Sequence, residues 1–250
     1  RGLARPASRR KPRNGDGSVV PSLSIAAGFP DPDTALREPN GLLCVGGDLA
    51  PHTIIRAYSQ GIFPWFSEDQ PILWWSPDPR MVLFPGEFKV SKSLAKVMRS
   101  GKFTVRFDSA FAEVIAGCAA PRGPGGGTWI VPAMQQAYTR LHALRVAHSV
   151  EAWQGSTLAG GLYGVALGRV FFGESMFTRA TDASKVALAA LVAKLRQDGF
   201  ELVDCQQQTR HLASFGARPI PRADFVRRLE HLINSASPVS AWRANDVQAE

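Results

Sequence analysis

The chain has 250 residues, of which 45% are hydrophobic, 20% charged and 9% aromatic. This composition supports a large hydrophobic core and excludes a wholly disordered chain. No apolar stretch approaches the roughly 18 to 20 residues that a membrane-spanning helix needs, and no secretory leader is expected. Three distant cysteines and five scattered histidines show neither disulfide nor metal-site spacing. We therefore expect a soluble, cytoplasmic protein without a structural metal or a membrane partner.

The net charge of +8 is concentrated in two segments. Residues 1–13 carry six basic side chains and no acid, and residues 80–106 carry seven against Glu87 alone. Charge that is localised in this way favours a directed contact with a polyanion, although a solvated tail and a basic helix face would give the same count. The basic residues of the second segment are Arg80, Lys89, Lys92, Lys96, Arg99, Lys102 and Arg106.

The N-terminal part of the chain is rich in turns. Residues 1–20 are predicted to be a disordered basic tail, because they offer little to bury. Residues 21–79 are predicted to form a small domain in which Asp48 caps a short helix with Pro51 in its first turn. Prolines and aromatic residues cluster before Arg80, which disfavours a long regular element, and we place the domain boundary there.

Residues 80–250 show clearer periodicity and are predicted to form an α+β domain with helices on a mainly antiparallel sheet. The predicted order begins with a strand at Met81–Phe84, a helix that Ser91 caps and that ends at Arg99, a strand at Phe103–Phe107, and helices around Phe111–Cys118 and from Pro132. A meander of three strands follows, at Ser149–Gln154, Leu158–Leu167 and Val170–Phe177. The last elements are a helix that Asp182 caps and that ends at Arg196, a strand at Glu201–Gln206 and a helix around Phe225–Leu232.

Several familiar catalytic and phosphate-binding motifs are missing from the sequence. There is no G-x-S-x-G turn, no G-x-x-x-x-G-K-S/T loop and no G-x-G-x-x-G after a strand. The glycines at 125–127 could hold a phosphate, but no helix follows them at once, so a flexible loop is the better interpretation.

Asp204 and Gln206 carry more chemical information. Residues i and i+2 of a strand project from one face, so we expect the carboxylate and the amide to lie together with Cys205 behind them. An acid beside an amide can orient an incoming amine for acyl transfer, although a polar cluster at a sheet edge is the alternative. Glu174 has apolar neighbours and must find a partner or a cationic ligand.

Eight motifs, collinear from about Phe29 to Leu229, resemble the leucyl/phenylalanyl-tRNA–protein transferase family. The resemblance implies an aminoacyltransferase that moves Leu, Phe and sometimes Met from aminoacyl-tRNA to the N-terminal amine of proteins beginning with Arg or Lys, which marks them for N-degron (N-end rule) degradation. It also implies a C-terminal domain like that of the acyl-CoA N-acyltransferases. The motifs are Leu36–Leu43, Gly46–Leu49, Gly61–Phe66, Leu73–Arg80, Gly127–Ile130, Gly173–Phe177, Ala183–Lys185 and Asp204–Gln206.

The resemblance also implies roles for individual residues. Asp204, Gln206 and Glu174 would be catalytic, and Trp65 and Trp129, which could otherwise be core residues, would hold the nucleotide end of the donor. The pocket for the transferred side chain would consist of Leu162, Phe171, Met176, Ser184 and Leu191. On a regular strand Phe171 would face away from Glu174 and Met176, so this assignment requires a bulge at Gly173.

Aminolysis of an activated ester needs neither ATP nor a metal, so no cofactor is expected. We expect Asp204 to polarise Gln206, whose amide oxygen orients the amine, and the charges of Asp204 and Glu174 to suit an acceptor Arg or Lys. The basic residues of the 80–106 segment would hold the tRNA backbone. The protein is expected to act as a monomer.

Two other functions remain open. A CoA-dependent N-acyltransferase could use the same fold, but residues 179–184 lack the glycines of a pyrophosphate loop and place an acid there. A non-catalytic RNA-binding module around residues 80–106 would leave Glu174, Asp204 and Gln206 without a role.

Overall fold

The computed structural model describes residues 20–23, 28–121, 128–235 and 242. The predicted tail, apart from Val20, and the glycines at 125–127 lie outside these residues. The described chain forms two β-sheets, which differ in size, and α-helices that pack on them.

The smaller sheet has three antiparallel strands: β1 (Leu42–Val45), β2 (Phe63–Pro64) and β3 (Leu73–Trp75), in the order β1-β3-β2. Helix α1 (Pro51–Ser59) connects β1 to β2. Asp48 is not the N-cap residue, which is Ala50; its carboxylate instead accepts the Ala50 N–H at 3.0 Å and the Thr53 hydroxyl at 2.7 Å. Asp48 therefore fixes the first turn of α1 from two residues upstream.

The larger sheet has seven strands in the order β10-β4-β9-β8-β7-β6-β5. Its pairings are antiparallel except for β8 with β9, which is parallel. The predicted α+β class and the meander are confirmed. The strands are β4 (Arg80–Leu83), β5 (Thr104–Phe107), β6 (Ala147–Gln154), β7 (Thr157–Leu167), β8 (Val170–Thr178), β9 (Leu202–Gln206) and β10 (Arg218–Ile220).

In the part of the chain that the structure describes, six further α-helices follow α1: α2 (Lys92–Arg99), α3 (Phe111–Ala119), α4 (Pro132–Ala143), α5 (Ala183–Gln197), α6 (Arg210–Ser214) and α7 (Arg222–Ile233). The predicted cap of α2 is confirmed, since Ser91 Oγ accepts the Leu94 N–H at 3.1 Å. Asp182 is the N-cap residue of α5, as predicted, but its side chain makes no capping hydrogen bond. Asp182 precedes α5 in a left-handed conformation, and its carboxylate pairs with Lys185 Nζ at 2.8 Å instead of with a helix N–H.

Two hydrophobic clusters cover the two faces of the large sheet. One contains residues of α2 and α5 with Leu162, Phe171 and Val203. The other joins residues of the small sheet and of α1, α3, α4 and α7 to Tyr163 and Phe172. This second cluster includes residues from both sides of position 80, so the small sheet packs on the large one through a shared core.

Close packing against Phe171 generates a first prediction. A Cβ at Gly164 would lie 2.5 Å from Phe171 Cε1 and closer still to the Phe172 carbonyl oxygen. We expect Gly164→Ala to lower the free energy of unfolding by about 1–3 kcal/mol, because backbone must shift to admit the methyl group. Urea denaturation measures this. Gly86→Ala, where a Cβ has no neighbour within 4 Å, is the control, and an equal loss in both variants would contradict the argument.

Candidate functional site

A bulge in β8 brings the predicted site residues to one side of the sheet. Gly164 pairs with Gly173 and Tyr163 pairs with Ser175, which leaves Glu174 as an extra residue without a partner position on β7. The bulge that the implied side-chain pocket requires at Gly173 is present, with Glu174, one residue later, as the extra residue. It breaks the alternation of the strand, so residues before and after it can line the same space.

A cavity of about 440 Å³ lies beside this bulge. Glu174 and Gln206 provide polar groups on a mostly apolar lining. Ser184 lies outside the lining, because it follows Ala183 in the first turn of α5, where the helix packs on Gly160. The other four residues predicted for the side-chain pocket all line the cavity: Leu162, Phe171, Met176 and Leu191.

Trp65 and Trp129 lie between this cavity and a wider groove of about 1100 Å³, and they line both. Trp65 is 37% exposed. Trp75 supports it, since the Trp75 indole N–H donates to the Trp65 carbonyl at 2.7 Å and the two rings meet edge to face at 5.5 Å. An exposed, supported indole at a cavity entrance is suited to stacking on a base.

Three donors converge on the buried carboxylate of Glu174. The Tyr58 hydroxyl donates to Oε1 at 2.6 Å, the Tyr138 hydroxyl to Oε2 at 2.9 Å and Gln206 Nε2 to Oε1 at 2.8 Å. The two tyrosine hydroxyls also lie within hydrogen-bonding distance of each other, and because each carries one proton, it can donate either to Glu174 or to the other hydroxyl. Sequence reasoning missed both tyrosines, because each fits the apolar spacing of its helix. The available signal was a glutamate among apolar residues, which needs buried donors such as tyrosine hydroxyls.

Burial is the main reason that the pKa of Glu174 rises from 4.5 to about 7. The hydrogen bonds from Tyr58, Tyr138 and Gln206 favour the charged form and oppose this rise, whereas the negative charge of Asp204 adds to it. Glu174 therefore changes its charge near neutral pH.

Arg80 and Asp204 form a fully buried ion pair. Arg80 Nε donates to Oδ1 at 2.8 Å and Nη2 to Oδ2 at 2.7 Å. The prediction that Arg80 binds tRNA is therefore wrong, because its β4 side chain points into the core and meets no solvent. The expectation that Asp204 adds negative charge for an acceptor is corrected for the same reason, since Arg80 offsets that charge.

Gln206 ends β9 in a left-handed conformation, with φ of +59°. Its backbone N–H donates to Asp204 Oδ1 at 2.9 Å, but its side-chain amide donates to Glu174. Cys205 lines the cavity together with Gln206, whereas Asp204 lies beneath them. The expected arrangement, with Cys205 behind and Asp204 polarising the Gln206 amide, is thus wrong: strand alternation fails at Gln206, and Glu174 is the group that contacts the amide.

The remaining basic residues of the 80–106 segment lie around α2. Arg106, on β5, is half-buried, with its guanidinium 5.3 Å from the centre of the Trp153 ring. The other five are exposed and form what we call the α2 basic surface: Lys89, Lys92, Lys96, Arg99 and Lys102.

Within the described part of the chain, no three His, Cys, Asp or Glu side chains are grouped as metal ligands would be. No helix in that part is both long and apolar enough to cross a membrane.

Comparison with known proteins identifies the family. The sequence model described as leucyl/phenylalanyl-tRNA protein transferase matches residues 82–230, and the model of that family's N-terminal domain matches residues 47–78. The chain belongs to the leucyl/phenylalanyl-tRNA–protein transferase family.

Curated relatives support the assignment along most of the chain. A leucyl/phenylalanyl-tRNA–protein transferase of Stutzerimonas stutzeri (strain A1501) is 61% identical over 216 residues, which are 86% of this chain and 95% of that protein. One of Nitrosospira multiformis is 56% identical over 232 residues, or 93% of this chain and 100% of that protein. A solved C-terminal domain (DUF2156) of a putative lysylphosphatidylglycerol synthetase from Agrobacterium fabrum gives a TM-score of 0.32 at 11% identity, covering 75% of this chain and 60% of that one. The family assignment does not rest on that structure.

The raised pKa of Glu174 gives this transferase-family protein a testable stability profile. A folded-state pKa of about 7 against 4.5 unfolded means that the native state binds the extra proton between these values. The stability from this group is therefore fully present below pH 4.5 and is lost as pH rises through 7, by about 3 kcal/mol in total. We expect Glu174→Gln to unfold at a higher temperature than the parent at pH 8. Its advantage should shrink at pH 5.

Thermal denaturation at both pH values measures the difference. Glu201→Gln, which removes an exposed carboxylate from a surface ion pair, is the control and should behave alike at both pH values. An unfolding temperature of Glu174→Gln that exceeds that of the parent equally at both pH values would contradict the raised pKa of Glu174.

Proposed function

We propose that the protein transfers Leu or Phe, and less well Met, from aminoacyl-tRNA to the N-terminal amine of proteins that begin with Arg or Lys. This marks the acceptors for N-degron (N-end rule) degradation. The observation that carries the proposal is the hydrogen-bonded Glu174–Gln206 pair, which opens on an apolar cavity of about 440 Å³. The protein acts as a cytoplasmic monomer, and the larger sheet with the helices that pack on it has the acyl-CoA N-acyltransferase fold.

The cavity suits the apolar side chain of the donor. Leu162, Phe171, Met176 and Leu191 give it branched and aromatic contacts without a charge. Apolar complementarity separates side chains that differ by one methylene by only about 1–3 kcal/mol, so one pocket accepts Leu, Phe and Met. Trp65 and Trp129, at the entrance, hold the terminal adenosine next to this pocket.

Gln206 orients the acceptor amine. Because Nε2 donates to Glu174, Oε1 is left to accept an N–H of the amine, and ionised Glu174 strengthens that acceptor by polarising the amide. The α-amine has an ordinary pKa of about 7.7–8.0, so a substantial neutral fraction is present at neutral pH. Its nitrogen forms a bond to the ester carbonyl carbon, the carbon–oxygen bond to the ribose breaks, and the amine proton ends on the ribose hydroxyl.

A CoA-dependent reaction receives less support. Asp182, in a left-handed conformation just before α5, puts a carboxylate where the pyrophosphate of CoA would need a helix N-terminus.

The groove next to the cavity suits a cationic acceptor. Two acidic side chains at its rim, Glu68 and Asp69, are exposed.

A transfer assay tests the proposed function. The protein would be mixed with labelled Leu-tRNA, Phe-tRNA or acetyl-CoA and with peptides beginning with Arg, Lys, Leu or Glu. We expect label to move from the two aminoacyl-tRNAs to the Arg and Lys peptides. Gln206→Ala should lower kcat by about 100-fold with unchanged tRNA binding, because the amine loses its orienting acceptor.

Gln197→Ala provides the matched control, since Gln197 is an exposed glutamine at the end of α5 and lies outside the lining of the cavity. Transfer from acetyl-CoA alone would overturn the proposed function. Full activity of Gln206→Ala would overturn the role proposed for Gln206.

The α2 basic surface should bind the tRNA backbone without reading its sequence. Each phosphate contact contributes about 0.7–0.9 to the slope of log affinity against log salt. Replacing Lys92, Lys96 and Arg99 with Gln should flatten that slope and weaken Leu-tRNA and Phe-tRNA equally. Gln substitutions at the exposed helix residues Arg140, Arg196 and Arg227 remove the same charge and are the control. An equal change of slope in both triple variants would show that the total charge of the protein, rather than this surface, determines the salt dependence.

A further inference from the structure

We infer that Arg80 is a positioning residue for the transfer step: through Asp204, it holds the backbone of Gln206 in the left-handed conformation that aims the Gln206 amide into the cavity. The catalytic part of this inference rests on the proposed function; the structural part does not.

The Arg80 guanidinium is fixed on every side. Two of its nitrogens bind the two oxygens of Asp204, and Nη1 donates to the Gly61 carbonyl at 3.0 Å. The rings of Phe63 and Phe225 also pack against it, with their centres 4.8 Å and 4.7 Å from the guanidinium carbon. A side chain held by three bonds and two rings cannot swing to a phosphate, but it fixes the plane of the carboxylate that it binds.

Asp204 transmits this order to Gln206. Its Oδ1 accepts both Arg80 Nε and the backbone N–H of Gln206, at 2.8 Å and 2.9 Å. A left-handed conformation at a residue other than glycine costs about 1–2 kcal/mol, so a neighbouring contact must hold it. The bond from the Gln206 N–H to Asp204 is such a contact, and it keeps Nε2 of the same residue 2.8 Å from Glu174.

The buried Asp204 carboxylate stays ionised and keeps its orientation because Arg80 is present. The carboxylate has no exposure, and a buried charge without its partner is strongly destabilising. Without Arg80, the carboxylate must take up a proton or turn toward another donor, and either change disturbs its bond to Gln206. Arg80 thus acts on the amide through two intervening contacts, without touching substrate.

Kinetics of Arg80→Gln test the inference. We expect kcat to fall by about 100-fold, as for a small misplacement of a reacting group, while KM for donor and acceptor changes by less than about threefold. Arg222→Gln is the matched control: Arg222 is also a buried arginine, and its Nη1 donates to the Ser76 carbonyl at 2.8 Å, away from the cavity. Unchanged kcat in folded Arg80→Gln, or an equal fall in Arg222→Gln, would overturn the inference.

A double variant separates positioning from proton transfer by Asp204. Arg80→Gln with Asp204→Asn replaces the ion pair by two amides and keeps an Oδ1 acceptor for the Gln206 N–H. We expect this variant to recover kcat relative to Arg80→Gln, because no buried charge is left unpaired. A folded double variant without recovery would show that the charge of Asp204, rather than its geometry, is needed, and would overturn the inference.

Amide hydrogen exchange at Gln206 gives a readout without substrate. In Arg80→Gln, the Gln206 N–H should exchange faster, whereas amides of β7 should keep their protection. If Arg80→Gln does not fold, Arg80→Lys serves in its place, since lysine keeps the charge but cannot bind both oxygens in a fork. Unchanged protection at Gln206 would overturn the inference. A parent protein that fails to transfer any amino acid would count against the proposed function alone.

Discussion

The buried ion pair between Arg80 and Asp204 is the contact on which the site depends. It lies where the small sheet, β4, β9 and α7 meet, because Gly61, Phe63 and Phe225 complete the surroundings of the guanidinium. Desolvation offsets much of the attraction between two buried charges, so such a pair adds little net stability. Its effect here is directional: a planar fork and a carboxylate hold each other in one orientation and exclude other arrangements of the chain.

For Glu174, burial is a cost to the stability of the fold. The same burial that raises its pKa to about 7 makes its ionised form a burden on the fold. Tyr58 and Tyr138 moderate this burden by donating to its oxygens, and they come from α1 and α4, on either side of the chain segment that contains β4. The network therefore needs the small sheet and the large sheet to be packed together, which makes the shared core a condition for chemistry as well as for stability.

Local pattern predicted much of the larger sheet and little of the smaller one. The strands of the meander and the Ser91 cap follow from periodicity and from one hydroxyl at a helix start, which act within a few residues. The short strands β1 to β3 have no periodicity to detect, since turns and prolines interrupt them. Likewise Asp182 occupies the N-cap position of α5 as predicted, but its backbone is left-handed and its carboxylate bonds to Lys185 instead of to a helix N–H.

The structure brings most of the predicted site residues to one cavity, but several of their contacts differ from the predicted ones. Sequence pattern places Arg80 among basic residues, but a count of charges does not show that its strand points the side chain inward. Alternation on β9 put Asp204 and Gln206 on one face, and the left-handed conformation of Gln206 cancels that rule at the last residue. Both errors arise at one place, because the inward Arg80 and the turned Gln206 bind the same carboxylate.

This shared carboxylate also couples the two acids of the site. The negative charge of Asp204 contributes to the raised pKa of Glu174, and Arg80 is the cation that offsets it at a distance of 2.7 Å. If that cation were lost while Asp204 stayed ionised, the repulsion would increase and Glu174 would hold its proton to a higher pH. Glu174 polarises the Gln206 amide most strongly when it is ionised. Arg80 therefore affects the Gln206 amide in two ways: its direction through the backbone and its polarity through Glu174.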